Sequence, residues 1–167
     1  ITQEKIISAW KGRIALGVAP TKNMDRMEWL TEKATEIGID SIHFLNCQYS
    51  ERKNMHTERL QRIAISAMKQ SHKAWLPQIS EMESFQEFIH TPFDGIKAIA
   101  HCYDDRDINE SAKKTFLMDA LQENKTENVM ILIGPEGDFS IEEVRKAIGQ
   151  GFLPVSLGES RLRTETA

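Results

Sequence analysis

The sequence has no long apolar run and little cysteine, and both absences restrict what the chain can be. No apolar segment approaches the roughly 18 to 20 residues that a membrane-spanning helix needs, so we expect no membrane partner. Residues 1–11 lack the pattern of a secretory signal peptide, so we expect a cytoplasmic protein. Because Cys47 and Cys102 have no metal-ligand spacing and form a poor disulfide framework, we predict two buried free thiols.

The chain also lacks an excess of positive charge. It has 21 Lys and Arg against 25 Asp and Glu, and its formal net charge is -4. A surface dedicated to nucleic acid needs clustered basic residues to neutralise phosphates, so the overall charge argues weakly against one. It leaves room for a local basic patch. One basic run contains Arg52, Lys53, Arg59, Arg62, Lys69 and Lys73. The solvated face of a helix is the favoured interpretation of this run, and contact with an RNA backbone is the alternative.

The hydrophobic pattern alternates between strands and helices over a length that suits one domain. Strands are predicted at 13–18, 41–45, 96–100, 129–133 and 152–157. Helices are predicted at 24–37, 58–71, 85–89 and 111–121, and from Ser140 to a stop at Gly149. This alternation predicts an α/β domain with a largely parallel sheet and flanking helices, in which ligands bind outside the carboxyl ends of the strands.

Two of these helices carry clear boundary signals. Asn23 is a plausible N-cap for the helix at 24–37, and Gly38 is a plausible stop. Ser140 is followed three residues later by Glu143, which is the spacing of a capping box. We therefore expect the chain to turn sharply between the strand at 129–133 and the helix after Ser140.

The turn between them reads Gly134-Pro135-Glu136-Gly137. Glycine allows a ligand to approach the main chain closely, and proline stiffens the turn. The sequence is neither a P-loop nor a dinucleotide fingerprint, because the required lysine and glycine spacings are absent. A ligand loop and a simple tight turn with an exposed glutamate are about equally compatible with these residues.

The last eleven residues, LGESRLRTETA, follow the final predicted strand. Arg161 and Arg163 could hold phosphates or polarise a base if they lie beside a ligand cleft. The alternative is a solvated, frayed chain end. Since two glycine-containing strand ends, at Gly134 and Gly158, occur close together in sequence order, a binding site is favoured. No cluster of ligand residues suggests a metal, and we expect none.

Together these segments resemble a known family. The strings LIGPEGDFSIEEV and GFLPVSLGESRLRTETA resemble the C-terminal signature of the ribosomal RNA small-subunit methyltransferase E family. Upstream, KNMDRMEWLTEKATEIGI and the segment from Ser50 to Ile79 also resemble that family. The resemblance implies an S-adenosyl-L-methionine-dependent enzyme that methylates N3 of a uridine in 16S rRNA of the small ribosomal subunit. It also implies a homodimer with the SPOUT fold, whose C-terminal part forms a trefoil knot.

The resemblance assigns residues to three roles. The cofactor loops would comprise Leu132, Ile133, Gly134, Pro135, Glu136, Gly137, Leu157, Gly158, Leu162, Arg163 and Thr164. Arg163 and Glu165 would be the catalytic residues. Contacts to RNA would come from Arg52, Arg59, Arg62, Lys69 and Arg161.

The chain departs from the family pattern at several points. Asp138 stands where the family commonly has a second glycine, and no role for it follows from the sequence. Glu159-Ser160-Arg161 replaces a Pro-Arg-Ile string, which displaces one arginine and leaves Arg163 the stronger catalytic candidate. Residues 1–12 would be a linker or the remnant of an N-terminal PUA-like β-barrel domain. Residues 13–167 would form the SPOUT domain, without its last helix and with a knot that is then incomplete.

Three other functions are compatible with the same residues. A SPOUT methyltransferase that acts on tRNA would share the fold and the cofactor. A non-catalytic RNA-binding factor in ribosome assembly would keep the loops without turnover. The least specific alternative is a nucleotide-binding α/β domain with a different function.

Overall fold

The protein is described by a computed structural model that covers residues 11–108, 113–124 and 126–167. Its strands are β1 Ile14–Val18, β2 Ser41–Asn46, β3 Gln78–Ser84, β4 Ile96–Ala100, β5 Thr115–Phe116, β6 Val129–Ile133 and β7 Leu153–Ser156. Its helices are α1 Met24–Ile37, α2 Thr57–Gln70, α3 Phe85–Phe88, α4 Asp105–Ile108, α5 Leu117–Glu123 and α6 Ile141–Gly149.

In the described part of the chain, the strands form one seven-stranded sheet in the order β3-β2-β1-β6-β4-β7-β5, and every pairing is parallel. This confirms the predicted α/β architecture. Strands β1, β6 and β4 end level with one another, because the register pairs Ile133 with both Val18 and Ala100. Strand β7 ends one residue later, since Ala100 pairs with Val155. The loops that follow these strands therefore start side by side at one edge of the sheet.

Helices cover both faces of the sheet. On one face, α3 and α6 pack through Phe85 and Val144 against a cluster that includes Leu132. On the other face, α1 and α2 pack against a cluster that includes Ile133. Since successive strand residues point to opposite faces, β6 is buried from both sides. This burial explains the continuous apolar sequence of β6 and fixes the start of the loop that follows it.

The predicted helix signals are confirmed. The Asn23 side chain accepts a hydrogen bond of 2.9 Å from the Asp25 backbone N–H, and Gly38 ends α1 with a φ of 107°. Ser140 and Glu143 form the complete capping box of α6. Helix α1 and strands β4 and β6 have the predicted bounds, and the other predicted elements except the helix at 111–121 differ from them by one or two residues.

Two predictions about elements and exposure were wrong, and two elements were missed. Of the helix predicted at 111–121, residues 111–112 lie outside the described residues, Thr115–Phe116 is an edge strand, and α5 begins only at Leu117. Strand β3 and the short helix α4 were not predicted at all. The pair of cysteines was expected to be buried, but only Cys47 is; Cys102 is exposed because it lies in the loop after β4. None of the described helices combines the length and the apolar character needed to cross a membrane.

Candidate functional site

A cleft of about 620 Å³ lies at the carboxyl ends of β6, β4 and β7, where parallel sheets commonly bind ligands. Its volume is within the usual range for small-molecule sites. Most of the residues predicted to hold a cofactor line it: Ile133, Gly134, Pro135, Glu136, Leu157, Gly158, Leu162, Arg163 and Thr164. Two predicted residues are not part of the lining. The Leu132 side chain is fully buried in the core, and Gly137 lies on the side of its loop that faces Tyr49.

The loop after β6 is a closed turn. The Asp138 backbone N–H donates to the Pro135 carbonyl at 2.9 Å, and the Glu136 side chain accepts from the Lys22 backbone N–H at 3.0 Å. A Cβ atom on Gly134 would lie 3.0 Å from the Phe139 backbone nitrogen, so only glycine fits there without a shift. Both interpretations of this stretch therefore apply, because the turn is tight and it also lines the cleft.

Asp138 joins this turn to the neighbouring loop. Its backbone has a φ of 68°, in the left-handed region that glycine favours and that aspartate tolerates better than most residues. One carboxylate oxygen accepts from the Phe139 backbone N–H at 2.7 Å, and the other accepts from the Cys102 backbone N–H at 2.8 Å. The aspartate thus keeps the glycine-like conformation and adds a link between the loops after β6 and β4.

The C-terminal tail folds back onto the cleft. The buried Thr164 hydroxyl donates to the Gly134 carbonyl at 3.1 Å. The Arg163 carbonyl accepts from the backbone N–H groups of Thr166 and Ala167, which closes a turn. These contacts favour a built binding site over a frayed chain end. They leave the Arg163 side chain exposed along the wall of the cleft.

Glu165 pairs with a residue that the sequence did not single out. Its Oε1 atom lies 3.4 Å from Nε of Arg26, which is in the first turn of α1 and also lines the cleft. Its other carboxylate oxygen is buried without a hydrogen-bond partner among the described residues. Glu165 itself is not among the residues that line the cleft, and it contacts the lining through Arg26.

His101, Cys102 and Lys114 also line the cleft, and none of them was predicted. His101 immediately follows β4 and is only 7% exposed. Burial, and then the nearby ammonium of Lys114, lower the pKa of His101 below its ordinary value of 6.5. The imidazole is therefore neutral at pH 7. The local sequence could not show this, because only the strand order brings β4 between β6 and β7.

The predicted RNA-contacting residues fall into two groups. Arg52 donates to the Thr21 and Lys22 carbonyls, and Arg59 pairs with Glu28 at 2.7 Å, so both are engaged within the chain. Arg62, Lys69 and Arg161 are exposed, and Arg161 lines the cleft. Among the residues in the described ranges, no group of three or more His, Cys, Asp or Glu could hold a metal ion.

A family model for RNA methyltransferase domains matches residues 8–167, and the chain belongs to this family. In a structure comparison, a probable rRNA-methyltransferase from Porphyromonas gingivalis is similar over 99% of this chain and 67% of that one. The two share 45% sequence identity, with a TM-score of 0.87.

Two further similar proteins share one more specific name. A Ribosomal RNA small subunit methyltransferase E from Buchnera aphidicola is 32% identical over 163 residues, which cover 92% of this chain and 61% of that protein. The structure of the enzyme of the same name from Neisseria gonorrhoeae, bound to S-adenosyl methionine, is 27% identical with a TM-score of 0.74. It covers 93% of this chain and 61% of that one. The resemblance to this family and the fold class are thereby confirmed.

The chain spans 57 to 61% of the length of three curated relatives that it matches. The division into residues 1–12 and 13–167, the PUA-like remnant and the trefoil knot stay predictions.

Proposed function

We propose that this chain is the methyltransferase domain of an enzyme that methylates N3 of a uridine in 16S rRNA, with S-adenosyl-L-methionine as the methyl donor. The observation that carries the proposal is the cleft itself. Its walls are the Gly-Pro-Glu-Gly turn and the Leu-Arg-Thr-Glu-Thr-Ala tail, held together by the hydrogen bond from Thr164 to Gly134. The similarity to methyltransferases named for small-subunit rRNA supports the substrate. The protein acts in the cytoplasm as a homodimer on 16S rRNA or the small subunit.

The cleft has the size and the lining that this cofactor needs. Backbone groups of the turn at 134–136, of Leu157 and Gly158, and of the tail at 162–164 would hold its adenine and ribose. The relative from Neisseria gonorrhoeae binds the same cofactor. When bound, S-adenosylmethionine supplies an activated methyl group on a sulfonium sulfur, so the protein's main task is to position the acceptor.

The acceptor atom must be exposed and deprotonated. N3 of uridine lies on the pairing edge of the base, so the base must be unpaired or flipped out. Loss of its proton leaves a negative charge that spreads onto the flanking carbonyl oxygens. A guanidinium suits the stabilisation of that charge, and Arg163 presents one at the cleft wall.

Glu165 is the candidate for the base that takes the proton. Its ion pair in the structure is with Arg26, which fixes one carboxylate oxygen. The other oxygen has no partner in the described ranges of the chain. Because Glu165 is not part of the cleft lining, the role of base requires its side chain to turn toward the cleft, whereas in the structure it holds Arg26 there.

RNA reaches the cleft along exposed basic residues. Arg62 and Lys69 lie on the outer face of α2, and Arg161 lies at the cleft. They bind phosphates directly, whereas Arg52 and Arg59 act through the loop and the helix that they hold. The negative overall charge of the chain is compatible with such a local surface.

The Arg163→Ala change tests the catalytic assignment in the full-length protein. We expect methylation of small subunits to fall by roughly 100-fold or more, the loss seen when a group that stabilises developing charge is removed. Calorimetric binding of S-adenosylmethionine should largely survive, because the backbone holds the cofactor. Arg13→Ala is the matched control, since Arg13 is exposed at the opposite end of β1.

Two results would count against these assignments. Wild-type turnover by the Arg163→Ala protein would reject the role of Arg163. Failure of the wild-type protein to bind S-adenosylmethionine would reject the proposed function.

Mass spectrometry of rRNA from cells that lack the protein should show the loss of one N3-methyluridine. Intact rRNA with a methyl group missing from tRNA would favour a tRNA enzyme, and intact RNA of both kinds would favour an assembly factor.

A further inference from the structure

One buried polar side chain that lines the cleft makes no hydrogen bond to the described residues. His101 is 7% exposed, and neither of its ring nitrogens has a hydrogen-bond partner among the described residues. Buried polar groups are nearly always paired, and an unpaired one costs free energy. Two unpaired nitrogens on one buried ring that lines a cleft indicate a partner that binds there.

The strand order places His101 at the centre of the proposed cofactor loops. Strand β4 lies between β6 and β7, and Ala100 is in register with Ile133 and Val155. His101 follows Ala100 as Gly134 follows Ile133. The residue is therefore flanked by the loop after β6 on one side and the loop after β7 on the other.

The backbone around His101 is held in place from two directions. The Asp138 carboxylate accepts from the Cys102 backbone N–H at 2.8 Å. The Lys114 ammonium donates to the carbonyls of His101 and Tyr103 at 3.3 and 2.8 Å. These contacts fix the segment that carries the ring and leave both ring nitrogens unpaired among the described residues. Because both nitrogens are shielded from solvent in this conformation, a ligand in the cleft reaches them when the ring turns.

We propose that His101 binds the nucleoside end of S-adenosylmethionine, through hydrogen bonds to the ribose hydroxyls or the adenine edge. A neutral imidazole offers one donor and one acceptor, and hydroxyls and the adenine edge offer the complementary pair. The carboxylate of the cofactor would instead select a cation. This inference rests on the proposed function, because it names a contact to the proposed cofactor.

The neutral state of the ring agrees with its charged neighbours. Burial and the Lys114 ammonium disfavour the imidazolium and lower the pKa of His101, while the carboxylates of Asp138 and Asp105 partly oppose this shift. A neutral ring also avoids repulsion with the sulfonium of the cofactor.

Calorimetry on the full-length protein without RNA tests the inference. The ligands are S-adenosylmethionine and 5′-methylthioadenosine, which shares the nucleoside but lacks the amino acid. His101→Phe should weaken both by about tenfold, as expected for the loss of one or two hydrogen bonds. His101→Gln, which keeps a donor and an acceptor, should recover most of the affinity. His90→Phe is the matched control, because His90 is exposed after α3.

Each result supports or contradicts the proposed contact between His101 and the nucleoside. Unchanged binding of both ligands by the His101→Phe protein would overturn the inference, and a raised KM for RNA alone would assign His101 to the target base instead. Loss confined to S-adenosylmethionine would place the contact at the amino-acid end and would also overturn it. If the wild-type protein binds neither ligand, the proposed function falls and the inference with it. Melting temperatures identify a variant that has lost its fold, and His101→Leu then replaces His101→Phe.

Discussion

Asp138 shows how one residue can replace a glycine without changing the backbone. Its φ of 68° is costly for most side chains, but a short carboxylate can offset part of the cost through local hydrogen bonds. Here one oxygen bonds to the next backbone N–H and the other reaches the loop after β4. The substitution that the sequence left unexplained therefore has a structural role between two walls of the cleft.

Two substitutions separate the backbone effect from the hydrogen bonds. Asp138→Gly and Asp138→Ala both remove the carboxylate, but only alanine keeps the penalty of a positive φ. We expect the alanine variant to be less stable than the glycine variant by about 1 kcal/mol, since the left-handed region costs roughly 1 to 2 kcal/mol without glycine. Urea unfolding measures the difference. Equal stabilities, or a more stable alanine variant, would contradict the left-handed conformation at this position.

The site residues that the sequence revealed are those with a local signal. Gly134 and Pro135 form a recognisable turn after an apolar strand, and Arg163 belongs to a specific string. Arg26 and His101 carry no such signal, because Arg26 belongs to helix α1 and His101 follows strand β4, both distant in sequence from the loops after β6 and β7. Their place in the cleft depends on strand order, which no local pattern contains.

The start of α6 is an element whose boundary contributes to the site. The Ser140 hydroxyl accepts from the Glu143 backbone N–H at 3.2 Å, and Glu143 returns the bond to the Ser140 backbone N–H at 2.9 Å. The second Glu143 oxygen accepts from the Gln48 backbone N–H at 2.8 Å. The capping box thus also holds the loop after β2, close to the turn that lines the cleft.

Removing this cap should lower the stability of the whole domain. We expect Ser140→Ala to reduce the free energy of unfolding by about 1 kcal/mol, the usual cost of a lost N-cap. Ser66→Ala, an exposed position inside α2, is the control and should be neutral or slightly stabilising, because alanine is the better helix former. Thermal and urea unfolding of the two variants measure the effect. A loss of similar size in both would show that the cap is not the cause.

Elements were predictable from sequence where burial imposes a pattern. Helix α1 has one apolar stripe and clear caps, and β6 is buried on both faces, so their bounds could be read directly. Strand β3 has the polar sequence QISEMES and only half-buried or exposed residues, because it lies at the edge of the sheet. Strand β5 is two exposed residues at the other edge. Edge strands form through pairing with a neighbour, so their own residues carry little signal.

At the scale of the whole molecule, the site is a product of topology. The strands that form its floor are the sixth, the fourth and the seventh in the chain, placed next to one another in a parallel sheet. The α/β class and the position of the site at the carboxyl edge follow from alternation alone. The order of the strands does not, because periodicity describes each element separately. Family resemblance supplied the residues of the cofactor loops, but neither the strand order nor the place of Arg26 and His101 in the cleft.

Arg52 and Arg59 each contact other residues of the chain, and these contacts should weaken the dependence of RNA binding on ionic strength. The charge of Arg59 is neutralised by Glu28, and the donors of Arg52 are used by backbone carbonyls, so we expect neither side chain to neutralise a phosphate when RNA binds. If all five proposed RNA contacts neutralised phosphates, log K would fall against log salt with a slope of about -3.5, at about 0.7 per contact on single strands. With Arg62, Lys69 and Arg161 alone, we expect a slope of about -2.

Titrations of RNA binding across salt concentrations measure this slope. Arg62→Ala should flatten the slope while Arg59→Ala leaves it nearly unchanged, and the reverse would show that Arg59 leaves Glu28 to bind RNA.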